Sequence, residues 1–127
     1  ISAGGMVAIG EQYVGDEATK VLDLGRPMLA LYVGGMGARD KNFYNTITQR
    51  YGYVDEAKLV QDLYLDGKKD EAAAAIPSAM LTGTNLVGPP GQVKERLAAY
   101  REAGVTHLSI SPVGDATRTV EQLRELL

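Results

Sequence analysis

The distance between the two stretches that read as β-strands constrains this chain more than any other feature. Met6-Val7-Ala8-Ile9 is short, apolar and bounded by Gly5 and Gly10, the pattern of a strand covered on both faces. The next such stretch, Val105 to Ser111, comes nearly a hundred residues later. It follows directly on a helical pattern that stops at Gly104, which is the αβ junction of a parallel sheet. A regular βαβ unit needs roughly 30 residues, so most of the connection, about residues 16–87, reads as a helical insertion. Two parallel strands alone leave both edges open and bury little. A helix-rich α/β chain is therefore expected, part of a larger sheet that is completed by further residues of its own protein or by other chains. The opening at Ile1, followed at once by Ser2-Ala3-Gly4-Gly5, fits a portion of a longer polypeptide.

The residues between the strands carry helix signals of several kinds. Asp16 can accept from the free amides of a first turn, and Glu17 suits the positive end of that helix. Ala18, Val21, Leu22, Met28, Leu29 and Tyr32 keep helical spacing, but Pro27 lies inside the pattern and predicts a kink or restart near Gly25-Arg26. A second helix is expected from about Lys41 to Tyr51. A third runs from about Asp55 to Asp66, with Ala57, Val60, Leu63 and Tyr64 as its stripe and Gly67 as its stop. Lys68 to Ile76, with its alanine run, should be helical until Pro77. Gly88-Pro89-Pro90-Gly91 is the clearest break, and from it grows a helix with Val93, Leu97 and Tyr100 on one face. Asp115 caps a last amphipathic helix marked by Val120, Leu123 and Leu127.

Composition removes several classes of function. Thirteen basic and sixteen acidic residues leave a net charge of -3, so no electrostatic hold on nucleic acid or anionic membrane is expected. Without cysteine there are no disulfides and no thiolate metal sites, and the single His107 makes no zinc centre without several converging carboxylates. No run of about 18 apolar residues and no signal-peptide pattern is present, which makes a cytoplasmic protein the expectation.

Leu31 to Tyr53, LYVGGMGARDKNFYNTITQRYGY, gathers glycines, charges and aromatic rings in one place. Flexible backbone beside flat, partly polar side chains such as Tyr44 suits a small-ligand site, and it equally suits a corner between helices. Gly34-Gly35-Met36-Gly37 is no dinucleotide fingerprint, because the third glycine position falls on Asp40 and no strand precedes it. The phosphate loop and the serine-nucleophile elbow are absent as well. Arg39, Lys41 and Asn42 together can hold a carboxylate or phosphate, or form a solvated charge run. Gly91, Gln92 and Val93 offer amides at a helix start, an anion site in principle, weakened by Pro89 and Pro90, which have no amide hydrogens. His107 sits in a strand, where a half-buried structural histidine is the commoner case. The pairs Asp55/Glu56 and Asp70/Glu71 are adjacent in sequence, point apart on a helix and read as surface charges.

The runs RPMLALYVGGMGARDKNFYN, RYGY, QDLYLDGKKDEAAAAIP and LVGPPGQVKERLAAYREAGVTHL resemble, in order, the C-terminal part of the luciferase-like oxidoreductases, specifically the branch that uses the deazaflavin coenzyme F420. The resemblance covers about Val7 to Leu127. It implies a (β/α)8 TIM barrel of which this chain is one partial domain, residues 1–127, with Met6 to Ile9 similar to the seventh strand and Thr106 to Ser111 to the eighth. It further implies hydride transfer between F420 and an organic substrate, with no metal and with FMN as the alternative cofactor. Cofactor or substrate contacts would come from Arg39, Lys41, Asn42, Tyr44, Gly91 and Gln92. Ligands in such barrels sit at the C-terminal strand ends, so Gly10 to Gln12 and Ser111 to Gly114 would face the mouth. The catalytic residues are not implied. The chain alone is expected to be inactive and to associate with the rest of its barrel or with copies of itself; a self-assembling helical piece without enzymatic role is the remaining alternative.

Overall fold

A computed structural model describes all residues, 1–127. In chain order the elements are β1 (Ser2–Ile9), α1 (Gly15–Asp23), α2 (Arg26–Ala30), a π-helical turn (Leu31–Gly35), α3 (Phe43–Arg50), α4 (Val54–Leu65), α5 (Lys69–Ala74), α6 (Ser78–Thr84), β2 (Leu86–Gly88), α7 (Pro90–Glu102), β3 (His107–Pro112) and α8 (Ala116–Leu126). They form two compact units, one of Leu24–Met80 and one of Ile1–Asp23 with Leu81–Leu127.

The second of these holds a three-stranded parallel sheet in the order β2-β1-β3. Two strands were expected, and the third is a correction. Leu86–Gly88 is too short to show any periodicity, and it becomes a strand because Val7, Ala8 and Ile9 offer it their free edge, pairing with Leu86, Val87 and Gly88. On the other side β1 pairs with β3 from Ser2↔His107 to Val7↔Pro112. The first strand also begins earlier than Met6. Gly4 and Gly5 are not its boundary but lie within it, where a β-carbon on Gly4 would run into the Ser109 carbonyl and one on Gly5 into that of Thr84, so only glycine permits this closeness.

Val7, Ile9, Leu86, Val93, Leu97 and Leu123 are the buried cluster of this unit, with Tyr100, Leu108, Ile110 and Leu126 packed around it. Each large aliphatic side chain buried here contributes roughly 1.5–3 kcal/mol before the cost of ordering it. The cluster puts α7 and α8 on one face of the sheet. Along β3 burial alternates, Leu108 and Ile110 inward, His107, Ser109 and Ser111 exposed, a cleaner period of two than the sequence suggests. Asn85 extends the sheet with a side chain: its Oδ1 accepts from Met6 N at 2.8 Å, and its Nδ2 donates to Leu81 O at 2.8 Å. The αβ junction is as expected, with Gly104 at φ 85 between α7 and β3.

The helical unit packs through small residues. Ala30, Val33, Ala57, Val60, Ala72 and Ile76 are buried, and Gly34 and Gly35 lie against the Tyr64 side chain. The restart at Pro27 is observed, with α1 ending at Asp23 and Pro27 in the first turn of α2. Arg26 then reaches the C-terminal end of α5, donating to Ala73 O and Ala74 O at 3.3 Å and to Ile76 O and Ser78 Oγ. A guanidinium there satisfies open carbonyls and complements the helix dipole. Asp16, by contrast, is a residue inside α1 rather than its cap.

Candidate functional site

The sheet unit opens at the carboxyl ends of β1 and β3. After Ile9 the backbone turns tightly, with Gly10 N donating to Gly88 O at 3.1 Å, Tyr13 N to Gly10 O at 3.1 Å and Val14 N to Gln12 O at 2.9 Å. After Pro112, Val113 N donates to Val7 O at 2.9 Å, Gly114 takes a left-handed φ of 90, and Asp115 caps α8 by accepting from Arg118 N at 3.0 Å. Between these turns lies a cleft of about 430 Å³, floored by Ile9 and Thr119 and bordered by Glu11, Gln12, Tyr13, Asp115 and Arg118. Gln122 Nε2 reaches Ile9 O at 3.4 Å, tying α8 to the end of β1.

The cleft has three charged side chains, Glu11, Asp115 and Arg118, which sum to a formal charge of -1. The side chains of Glu11, Gln12 and Tyr13 and the Arg118 guanidinium make no hydrogen bond or ion pair with other protein groups and stand open to a ligand. Carboxylates accept from hydroxyls, and the amide, phenol and guanidinium donate to oxygen. The set suits a hydroxylated chain with a single anionic group better than an isolated dianion.

Of the residues expected at the mouth from strand position, Gly10 to Gln12 and Ser111 to Gly114, all of the first stretch and Val113 and Gly114 of the second line this cleft, while Ser111 and Pro112 remain in β3. Pro90 lines it too, at the start of α7; Gly91 and Gln92 follow it in the exposed first turn, Gln92 beside Gly88. Tyr13, Arg118, Thr119 and Gln122 are additions. The readable signal for the last three is the cap at Asp115, since the residues three, four and seven places after a helix cap share its face; nothing comparable marks Tyr13.

The other expected contacts lie in the helical unit. Arg39 forms an ion pair with Asp62. Lys41 is exposed, its backbone amide donating to Ala38 O at 3.0 Å. Asn42 is 3% exposed and caps α3: its Oδ1 accepts from Asn45 N at 3.0 Å, while its Nδ2 donates to Tyr32 O at 2.9 Å and Val33 O at 3.1 Å. Asn45 adds bonds from its Nδ2 to Val33 O at 3.0 Å and Ala57 O at 2.9 Å. Carbonyls at the π-helical turn thus find partners on two asparagines, which is how the glycine-rich turn is held. Tyr44 meets Tyr32 edge to face, centroids 4.7 Å apart, and Phe43 at 5.6 Å.

Known proteins relate to this chain in two ways. The family model described as luciferase-like monooxygenase matches residues 5–107. A protein of Mycobacterium tuberculosis, provisionally named a coenzyme F420-dependent oxidoreductase, is 39% identical over 101 residues, which cover 80% of this chain and 28% of the relative. The chain therefore spans well under half of that relative's length. No solved structure matches it. With the family match running from β1 to the start of β3, the chain belongs to the luciferase-like monooxygenase family.

Proposed function

We propose that this chain is the C-terminal portion of a TIM-barrel oxidoreductase that transfers hydride between coenzyme F420 and an organic substrate. The observation that carries the reading is the cleft at the carboxyl ends of two adjacent parallel strands, β1 and β3, the end of the strands where barrel enzymes bind ligands. The choice of F420 is supported by the name of the mycobacterial relative. FMN is the second reading, favoured by the monooxygenase description of the family.

The donor set of the cleft fits the hydroxylated, phosphate-bearing chain that such cofactors carry. Arg118, Gln12 and Tyr13 would hold its oxygen acceptors, and Glu11 and Asp115 its hydroxyls. When bound, the cofactor supplies the electrons; the protein's part is to orient it and to exclude water. Two strand ends make only part of a mouth, so the chain by itself is inactive. The outer edges of β2 and β3 are open to pairing, with the remainder of the barrel or with a second copy as partner.

Titration of the full-length protein and of this chain with F420 and with FMN tests the reading. The full-length protein should reduce or oxidise F420 with substrate and bind FMN weakly, while the chain alone binds neither at micromolar strength. Turnover with FMN alone would transfer the assignment to the second reading. Micromolar binding of F420 to the isolated chain would refute inactivity through incompleteness.

A further inference from the structure

The helical unit contains a second cavity, of about 280 Å³, between Arg39 and Asp40 of the loop that precedes α3 and the helices α3 and α4. At about 30 Å³ for each water it has room for roughly nine, or for a molecule of similar size. Its floor is formed by Asn45 and Gln61, which are 5% and 8% exposed. The two amides differ in one respect. Asn45 is spent, its Nδ2 on Val33 O and Ala57 O and its Oδ1 accepting from Gln49 Nε2 at 2.8 Å. Gln61 Nε2 is buried and has no hydrogen-bond partner at all.

A buried amide donor without an acceptor is destabilising, and α4 could carry an aliphatic residue at that position without the cost. The chemistry that removes the penalty is an oxygen acceptor. Gln61 lines the cavity, and rotation about the last side-chain torsion of a glutamine is soft, so exchanging its amide oxygen and nitrogen would present the donor to a bound acceptor. At the rim stand Lys58, Asp40 and Asp55, none of which draws an ion pair, and Arg39, which is neutralised by Asp62. One free cation lies beside two free carboxylates. A bare anion gains no net attraction from such a rim, and a bare cation leaves the floor unsatisfied.

We propose that this cavity binds a small zwitterion of the amino-acid type, with its carboxylate on the Gln61 amide and Lys58 and its ammonium on Asp40 and Asp55. Carboxylate first gives the Gln61 donor a charged acceptor and leaves the ligand's cation among exposed carboxylates.

The side-chain amide signals of Gln61 in the 15N-labelled full chain report on this directly. Three probes at matched ionic strength separate the components: acetate, ethylammonium and 4-aminobutyrate. We expect 4-aminobutyrate to shift the Gln61 amide saturably with a dissociation constant of about 1–10 mM, suited to so small a ligand. Acetate should act at least about tenfold more weakly, a difference of roughly 1.4 kcal/mol, and ethylammonium should leave the signal in place. Gln61→Met keeps the volume and removes the unpaired donor, so it should fold with equal or higher stability and, read on the Asn45 side-chain amide that also lines the cavity, lose the 4-aminobutyrate shift seen in the unaltered chain. Lys58→Ala should weaken 4-aminobutyrate by about two- to fivefold, the worth of one exposed charge contact. Failure of every carboxylate probe to move Gln61 overturns the proposal, as does a 4-aminobutyrate shift of the Asn45 amide that persists unchanged in Gln61→Met, or an equal response to acetate and 4-aminobutyrate. A slowly exchanging water on the Gln61 amide that 4-aminobutyrate does not displace overturns it too.

Discussion

Replacing Asn42 distinguishes architecture from ligand contact in the glycine-rich segment. The side chain is 3% exposed and makes three hydrogen bonds, one accepted from Asn45 N and two donated to Tyr32 O and Val33 O. Asn42→Ala removes a helix N-cap, about 1 kcal/mol, and two neutral bonds to carbonyls, about 1 kcal/mol each. Val33 O keeps its bond from Asn45, which holds the orphan penalty down. The expected loss is therefore roughly 3 kcal/mol, or a fall in midpoint of about 10 °C for a chain of this size. Asn42→Ser keeps an oxygen at the cap position and should lose only about 2 kcal/mol. Asn42→Asp also keeps the cap but turns a carboxylate toward two carbonyl oxygens, and should do at least as badly as alanine. Urea unfolding followed by near-ultraviolet circular dichroism reports on the right part of the chain, because Tyr32, Tyr44, Tyr51, Tyr53 and Tyr64, five of the seven tyrosines, lie in the helical unit. A loss below about 1 kcal/mol for Asn42→Ala would mean that these bonds do not hold the π-helical turn. Equal stability of the serine and alanine variants would remove the capping step from the reasoning.

Three further substitutions probe separate parts of the structure. Gly35→Ala would place a methyl group against the Tyr64 ring, and should cost about 1–3 kcal/mol in the same unfolding assay, as overpacking does. Asn85→Ala leaves the Met6 amide without its acceptor and Leu81 O without its donor; a loss of about 2–3 kcal/mol is expected, with faster amide exchange at Met6. Asp115→Ala removes the cap of α8 and should lower stability by about 1 kcal/mol, while Asp115→Ser restores most of it.

Much of this protein could be read locally. The break at Pro27, the stop at Gly67, the cap at Asp115 and the helix that ends in Gly104 before β3 all depend on a few neighbouring residues. Backbone restriction at proline, a left-handed glycine and a capping carboxylate act within one helical turn, so a sequence alone shows them. The family is readable for another reason: LYVGGMGARDKNFYN and LVGPPGQVKERLAAYREAGVTHL are long ordered patterns, and the match over residues 5–107 agrees with them. Strand polarity then pointed to Gly10 to Gln12 and Ser111 to Gly114 at one mouth, and of these Gly10 to Gln12, Val113 and Gly114 meet at the cleft.

What remained hidden was whatever needs partners far along the chain. Leu86–Gly88 is a strand only because the edge of β1, some eighty residues earlier, is free to pair with it. Asn42 looks like part of a charged, solvent-facing run beside Arg39 and Lys41, yet it is drawn inward by carbonyls that a π-helical turn leaves open. Gln61 reads as one more polar residue on a helix surface, and only packing against Asn45 and its neighbours makes it a buried donor without an acceptor. Local conformational preference therefore determined where helices start and stop, and the long ordered sequence runs determined which family this chain resembles. Tertiary packing decided which polar groups are spent on holding the fold and which are left for a ligand, because burial, not residue type, sets the cost of an unmade hydrogen bond.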